Sequence, residues 1–112
     1  MARIKIIQIQ GSTLAPIVSI MNDTRSAVSH ICLGIDDMQL LGNKALVLRA
    51  EIYPEKLLML YEALVLMGIM LNEHSLPDTV TLQQDVEYPL SIQVISFSAA
   101  TDGRQIIPKI PG

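Results

Sequence analysis

Apolar side chains alternate with polar ones in three stretches of the chain, and this alternation predicts three strands. It is cleanest in residues 44–52, where every second side chain is apolar. Residues 3–10 and 90–98 follow the same period of two, and each contains one slip of phase. A period of two sends alternate side chains to opposite faces of a strand. We expect Gly11-Ser12 to break the first of these strands.

Residues 54–67 are apolar at helical spacing and predict the clearest helix. Pro54 suits the first helical turn, where its missing N–H would have no partner in any case, and Glu55 suits the positive end of the helix dipole. Gly68 is placed to end the helix, and residues 69–71 then continue as a short strand or an extended link. One apolar stripe of this helix is predicted to comprise Leu57, Leu58, Tyr61, Leu64, Val65 and Gly68.

Residues 13–35 admit two interpretations. Apolar residues from Ala27 to Ile35 recur at helical spacing, which favours a helix that is capped by Asn22 or Asp23 and ends near Gly34. The same residues also alternate weakly, as a strand would. Upstream, residues 17–21 fit either a second strand or a short helix capped by Ser12, with Pro16 in its first turn. We favour the helix for residues 23–35.

The remaining segments are predicted from turns and short runs. Residues 36–44 read as a polar connection with a turn at Gly42-Asn43. Residues 79–86 predict a short strand. Thr101-Asp102-Gly103 is a hairpin signal, after which residues 104–110 return as an edge strand, because Pro108 cannot donate to a sheet ladder.

This order of elements predicts one α+β domain over residues 1–112, with a mostly antiparallel sheet and one or two helices packed on one face. The core resembles the ferredoxin-like βαββαβ plan, to which a C-terminal hairpin is added. One element of that plan is not evident, because no convincing second strand lies between the first helix and Lys44.

Composition excludes several classes of function. Half of the 112 residues are hydrophobic, 4% are aromatic, and the formal charge is −3. An acidic chain with four aromatic side chains is a poor binder of nucleic acid. The longest apolar stretch, residues 57–71, is shorter than a membrane span and contains Glu62, so no membrane insertion is expected. The single cysteine, Cys32, fits a reducing compartment, and we expect a cytoplasmic protein.

The chain offers few side chains for chemistry. His30 and Cys32 lie two residues apart without a local third group to orient them, and His74 lies beside Glu73 in a predicted turn. A zinc site needs more cysteines and histidines than the chain has, and no phosphate-binding glycine motif is present. We therefore predict no catalytic residue, no metal and no cofactor, with an enzyme built on His30, Cys32 or His74 as the third choice.

The predicted helix at residues 54–71 has more apolar surface than one sheet face requires. Met59, Leu66, Met67 and Met70 fall on the side away from the expected core stripe. A further segment of the chain, a second copy in a homodimer, or a different protein would cover this side. Flexible thioethers suit adaptable contact surfaces, although they also suit ordinary cores.

The leading hypothesis is a non-enzymatic protein-binding module. Small acidic chains of this kind resemble bacterial immunity or antitoxin proteins, which would imply a basic toxin domain as partner and inhibition by occlusion. The alternative is a small homo-oligomeric α+β protein that binds a metabolite at a subunit interface. The residues expected to contact a partner are the carboxylates Glu51, Glu55, Glu62, Asp85 and Glu87 and the amphipathic side chains Tyr61 and Tyr88.

Overall fold

A computed structural model describes residues 6–72 and 82–97 of the chain. Its elements, in chain order, are β1 (Ile7–Thr13), α1 (Ile17–Ile31), β2 (Ile35–Leu41), β3 (Ala45–Ile52), a 3-10 turn (Pro54–Lys56), α2 (Leu57–Leu66), β4 (Met70–Leu71) and β5 (Tyr88–Ser96).

The five strands form one sheet in the order β2-β3-β5-β1-β4. β1 and β5 are parallel, and the other three pairs are antiparallel. The predicted α+β class with a mostly antiparallel sheet is therefore confirmed. Without β5, the order becomes β4-β1-β3-β2 with alternating directions, as in the ferredoxin-like plan. β5 departs from that plan because it lies between β1 and β3.

One face of the sheet, the core face, is covered by both helices. Alternate residues of the strands enter the same buried cluster as Ile17, Ile20 and Val28 of α1 and Leu57 and Leu64 of α2. On the opposite, open face, the three central strands β3, β5 and β1 carry mainly polar and charged side chains. The exposed apolar side chains of this face lie chiefly where β5 ends. The strands read as alternating because only one of their faces is buried.

The helical interpretation is confirmed for residues 23–31, but both predicted ends are wrong, because α1 already ends at Ile31 and Ile35 belongs to β2. α1 begins at Ile17 with Pro16 as its N-cap, so it also contains the residues predicted as a separate short element. Asn22 and Asp23 lie exposed in the middle of the helix. The polar run therefore marks the solvent side of a continuous helix and not its end.

β2 is the strand that the sequence did not reveal, because residues 36–44 were expected to form a polar connection. Its register places Asp37 opposite Arg49 and Met38 opposite Leu48 on β3. Most side chains of β2 are exposed, because the strand lies at the edge of the sheet and is held mainly by backbone hydrogen bonds to β3. The alternation of apolar and polar residues in its sequence is therefore weak. The predicted turn is confirmed, since Gly42 adopts a φ of 61° between β2 and β3.

Gly11 does not break β1, which continues to Thr13. Gly11 lies opposite Leu71 of β4, and a Cβ built there would approach Ile69 Cγ2 to 2.8 Å and the Met70 carbonyl oxygen to 3.0 Å. The glycine thus allows close approach of two strands and is not a chain breaker.

The predicted end of the second helix is confirmed at Gly68. Gly68 has a φ of 89°, its N–H donates to the Val65 carbonyl at 3.0 Å, and the Ile69 N–H donates to the Leu64 carbonyl at 3.2 Å. These two bonds form a Schellman motif, with Leu64 and Ile69 both buried beneath it. β4 follows, as the expected short strand.

Three expectations near the C-terminal end have different outcomes. Within the predicted strand at residues 79–86, the described part, residues 82–86, forms no strand but a turn in which Asp85 has a φ of 64°. Residues 79–81 and the predicted hairpin at residues 99–110 lie outside the described residues. The strand predicted at residues 90–98 is present as β5, which begins two residues earlier and ends at Ser96, and residue 98 lies outside the described residues.

Candidate protein-binding surface

α2 has two apolar sides that differ completely in exposure. Leu57, Leu60 and Leu64 are fully buried against the sheet. On the other side, Leu66 is 88% exposed and Leu58 is 68% exposed. The outer stripe, as we call it, consists of Leu58, Met59, Glu62, Val65 and Leu66, at the helical spacing i, i+1, i+4, i+7 and i+8.

This result corrects the predicted stripe on α2. Leu58 and Val65 were expected beside Leu57 and Leu64, but both are exposed. Met67 was expected on the outer side, yet it is half-buried and its Sδ lies 3.6 Å from Thr24 Oγ1 of α1. Nine of the ten residues of α2 are apolar, so the pattern had no polar side from which to orient the helix.

A shallow concavity of about 420 Å³ borders the outer stripe and is lined by Tyr61, Glu62, Val65 and Leu66. Tyr61 is half-buried, and its hydroxyl is buried without a hydrogen-bond partner in the described part of the chain. Burial also raises the pKa of the Tyr61 phenol above its usual value. The tip of Tyr61 therefore points into the protein, and only part of its ring is available to a partner.

Glu62 lies at the centre of the outer stripe and is exposed. α2 contains no lysine or arginine. Among residues 6–72 and 82–97, no cation forms an ion pair with Glu62. Within the described part of the chain, the carboxylate is thus an unpaired charge among apolar neighbours.

The sheet register brings four of the five predicted carboxylates to one end of the molecule. The last residues of β3 pair with the first residues of β5. Glu51 lies near the end of β3, Glu55 follows in the 3-10 turn, and Asp85 and Glu87 directly precede β5. All four are exposed. We call them the acidic end. Glu62 lies apart from it, about a turn and a half into α2.

Tyr88 is half-buried at this same end and serves the fold. Its hydroxyl accepts a hydrogen bond of 2.9 Å from the backbone N–H of Gln83, which closes the turn before β5. Like Tyr61, Tyr88 presents only part of its ring to solvent.

The titratable side chains near the end of α1 do not assemble a nucleophile. His30 is exposed in the last turn of α1. Cys32 is half-buried, and burial raises the pKa of its thiol to about 11. A thiol with that pKa is almost entirely protonated near neutral pH and reacts poorly. His74 and Glu73 lie outside the described residues, and within the described ones no three metal-binding side chains cluster.

A second exposed apolar region lies on the open face of the sheet and was not predicted. Ile95 and Phe97 continue the alternation of β5 and emerge there, near Met70 of β4. The slip of phase predicted in residues 90–98 is therefore no irregularity of the strand. It arises because the end of β5 carries apolar side chains on both faces of the sheet. Together with Gln10 and Gln93, these residues line a concavity of about 390 Å³. Glutamines interrupt this region, whereas the outer stripe has a single polar member.

Comparisons of the chain with protein families, with curated proteins and with solved structures found no match. Within the part of the chain that the structure describes, no helix has both the length and the apolar character needed to cross a bilayer.

Proposed function

We propose that the chain is a non-enzymatic protein-binding module and that the outer stripe of α2 is its docking surface. The observation that carries this function is the exposure of Leu58, Met59, Val65 and Leu66 on one side of a helix whose other side is already packed. Covering one large apolar side chain contributes about 1.5–3 kcal/mol. Four such side chains at helical spacing supply the anchors of a specific interface.

The specific form of this function is that of a bacterial immunity or antitoxin protein, which neutralises a toxic enzyme by occluding its active site. The acidic end supports a basic toxin domain as partner, because the pairing of β3 with β5 brings Glu51 and Glu55 near Asp85 and Glu87. Two cations, Arg49 and Lys56, lie within two residues of these carboxylates in sequence and leave the group with an excess of negative charge. A local negative field attracts a basic partner and accelerates association. Nucleic acid and membrane surfaces, which are themselves mostly anionic, are poor partners for the same end.

A cytoplasmic location forms part of this proposal. Cys32 is a free thiol, and a lone unpaired cysteine suits a reducing compartment.

A homo-oligomer that binds a metabolite at its subunit interface is the second candidate. The concavity beside Tyr61 and Glu62 favours it, because a second subunit would convert an open depression into an enclosed site.

The test is affinity capture by the full-length tagged chain, compared with two charge-introducing variants. Leu66→Glu places a charge on the outer stripe, and Val18→Glu places the same charge on an exposed apolar position of α1. We expect a protein that the wild-type chain and Val18→Glu retain and that Leu66→Glu loses. Activity assays of that protein with and without the chain then test neutralisation. If Leu66→Glu retains the same proteins as Val18→Glu, the outer stripe is not a docking surface.

A further inference from the structure

Glu62 determines what kind of surface can cover the outer stripe. Leu58 and Met59 lie one turn before it, and Val65 and Leu66 lie one turn after it. A partner that covers both ends of the stripe must therefore also cover the carboxylate. In the free chain that carboxylate is exposed to water.

Removing water from an unpaired carboxylate is strongly unfavourable unless a cation or several hydrogen-bond donors replace it. No cation among residues 6–72 and 82–97 pairs with Glu62, and we expect a partner that covers this carboxylate to supply one. A guanidinium fits best, because it donates two parallel hydrogen bonds to a carboxylate, and an ammonium supplies the charge alone.

A second copy of the chain that packs its own α2 antiparallel to this one does not meet this requirement. Two antiparallel α2 helices that cover each other's whole outer stripe are centred on Glu62, which places two carboxylates face to face. Lys56 would face Glu62 only if the helices were centred on Met59. That register leaves Val65 and Leu66 uncovered. Such a dimer can therefore either cover the whole outer stripe or pair Lys56 with Glu62, but it cannot do both.

We propose, on the basis of the function proposed above, that the outer stripe binds an amphipathic α-helix of another protein, which carries an arginine or lysine in the middle of its apolar side. A helix supplies apolar anchors at the spacing that the stripe presents. Glu55 is exposed in the 3-10 turn, seven residues before Glu62 and roughly 10–12 Å from it along the axis. A second cation about two turns from the first in the partner helix would come near Glu55.

The test uses three synthetic amphipathic peptides of about 18 residues, or five helical turns, that differ only in the central residue of the apolar side. This residue is arginine, glutamine or glutamate. Binding to the full-length chain is measured by fluorescence anisotropy. We expect the arginine peptide to bind roughly tenfold or more tightly than the glutamate peptide. Glu62→Gln should abolish the preference, and Glu62→Arg should reverse it.

The matched control is an exposed carboxylate on the other helix. Asp23→Asn removes that carboxylate from α1 and should leave the preference for the arginine peptide unchanged. Equal binding of all three peptides, or a preference that survives Glu62→Gln, overturns the inference. So does the absence of binding by every peptide.

The same proteins distinguish failure of the inference from failure of the proposed function. If affinity capture loses its protein with Leu66→Glu but not with Glu62→Arg, the docking surface stands and the cationic helix is wrong. Light scattering that shows a dimer dissociated by Leu66→Glu assigns the stripe to a second copy. Nuclear Overhauser effects from the Leu66 methyl groups to residues outside 6–72 and 82–97 assign it to the chain itself. Either result also overturns the inference.

Discussion

Leu64 and Leu66 lie two residues apart on α2 and have opposite surroundings. Leu64 has no exposed surface, and Leu66 is 88% exposed. Two residues advance a helix by about 200°, which takes a side chain from the inner to the outer side. The same amino acid therefore serves the core at one position and faces solvent at the other.

Alanine at these two positions should separate the two roles. We expect Leu64→Ala to lower the free energy of unfolding by about 2–5 kcal/mol, because it opens a cavity in the core. Leu66→Ala should change it by less than about 0.5 kcal/mol. Urea unfolding followed by circular dichroism measures both. A large loss for Leu66→Ala would mean that this side chain is packed within its own chain.

Phenylalanine at Tyr61 and at Tyr88, which are both half-buried, should have unequal effects. Tyr61→Phe removes a buried hydroxyl that has no hydrogen-bond partner in the described chain, so stability should stay the same or rise by about 1 kcal/mol. Tyr88→Phe removes the acceptor of the Gln83 N–H and should lower stability by about 0.5–1.5 kcal/mol. Urea unfolding of both variants decides the order. A greater cost for Tyr61→Phe would contradict this account of its hydroxyl.

Alanine at Gly11 should destabilise the contact between β1 and β4. The new methyl group would meet Ile69 Cγ2 at 2.8 Å and the Met70 carbonyl oxygen at 3.0 Å, and such overpacking costs about 1–3 kcal/mol. A double-mutant cycle with Ile69→Ala provides the control, because it removes the nearer obstacle. Gly11→Ala should then cost less in the Ile69→Ala background than alone. If the costs of Gly11→Ala and Ile69→Ala were additive, the contact with the Ile69 side chain would not be the cause of the destabilisation.

Cys32 should react slowly with alkylating reagents, and its thiol should make the free energy of unfolding fall with rising pH in the alkaline range. Burial raises the pKa of its thiol from 9.0 to about 11. When the chain unfolds between these values, the thiol releases a proton, so rising pH favours the unfolded state. Stability should therefore fall as pH rises from about 9 to 11, and this part of the fall should disappear in Cys32→Ser.

Iodoacetamide labelling near pH 8 gives an independent measurement of the same thiol. We expect the native chain to react at least about tenfold more slowly than the chain in urea. Equal rates in the two states would show that Cys32 is accessible and ionises normally.

The sequence predicted those elements in which apolar and polar residues recur at the regular spacing of a strand or a helix. β3 alternates cleanly because one of its faces is buried and the other is solvated. β2 escaped prediction because an edge strand takes its geometry from the backbone of its neighbour, and its own side chains are mostly exposed. Gly11 was misread for a related reason, since the need for a glycine there comes from Ile69, which is distant in sequence.

The candidate surface was predictable in part. The excess of apolar residues in the second helix indicated a second apolar side, to be covered by another segment, a second copy or a different protein. Leu58 and Val65 could not be assigned to that side without the sheet to orient the helix. The grouping of four carboxylates at the acidic end depends on the pairing of β3 with β5. Sequence spacing alone does not bring residue 51 near residue 87.

The position of β5 has a consequence for biosynthesis. β1 and β3 do not pair with each other, and the strand that joins them is the last of the described strands to be made. Because a chain leaves the ribosome from its N-terminal end, the β2–β3 hairpin can form early, but the sheet cannot close until residues 88–96 have emerged. Until then the nascent chain carries two unpaired apolar strand edges, which are templates for aggregation. We therefore expect its yield in the cell to depend on how soon residues 88–96 emerge and on chaperones that protect those edges until then.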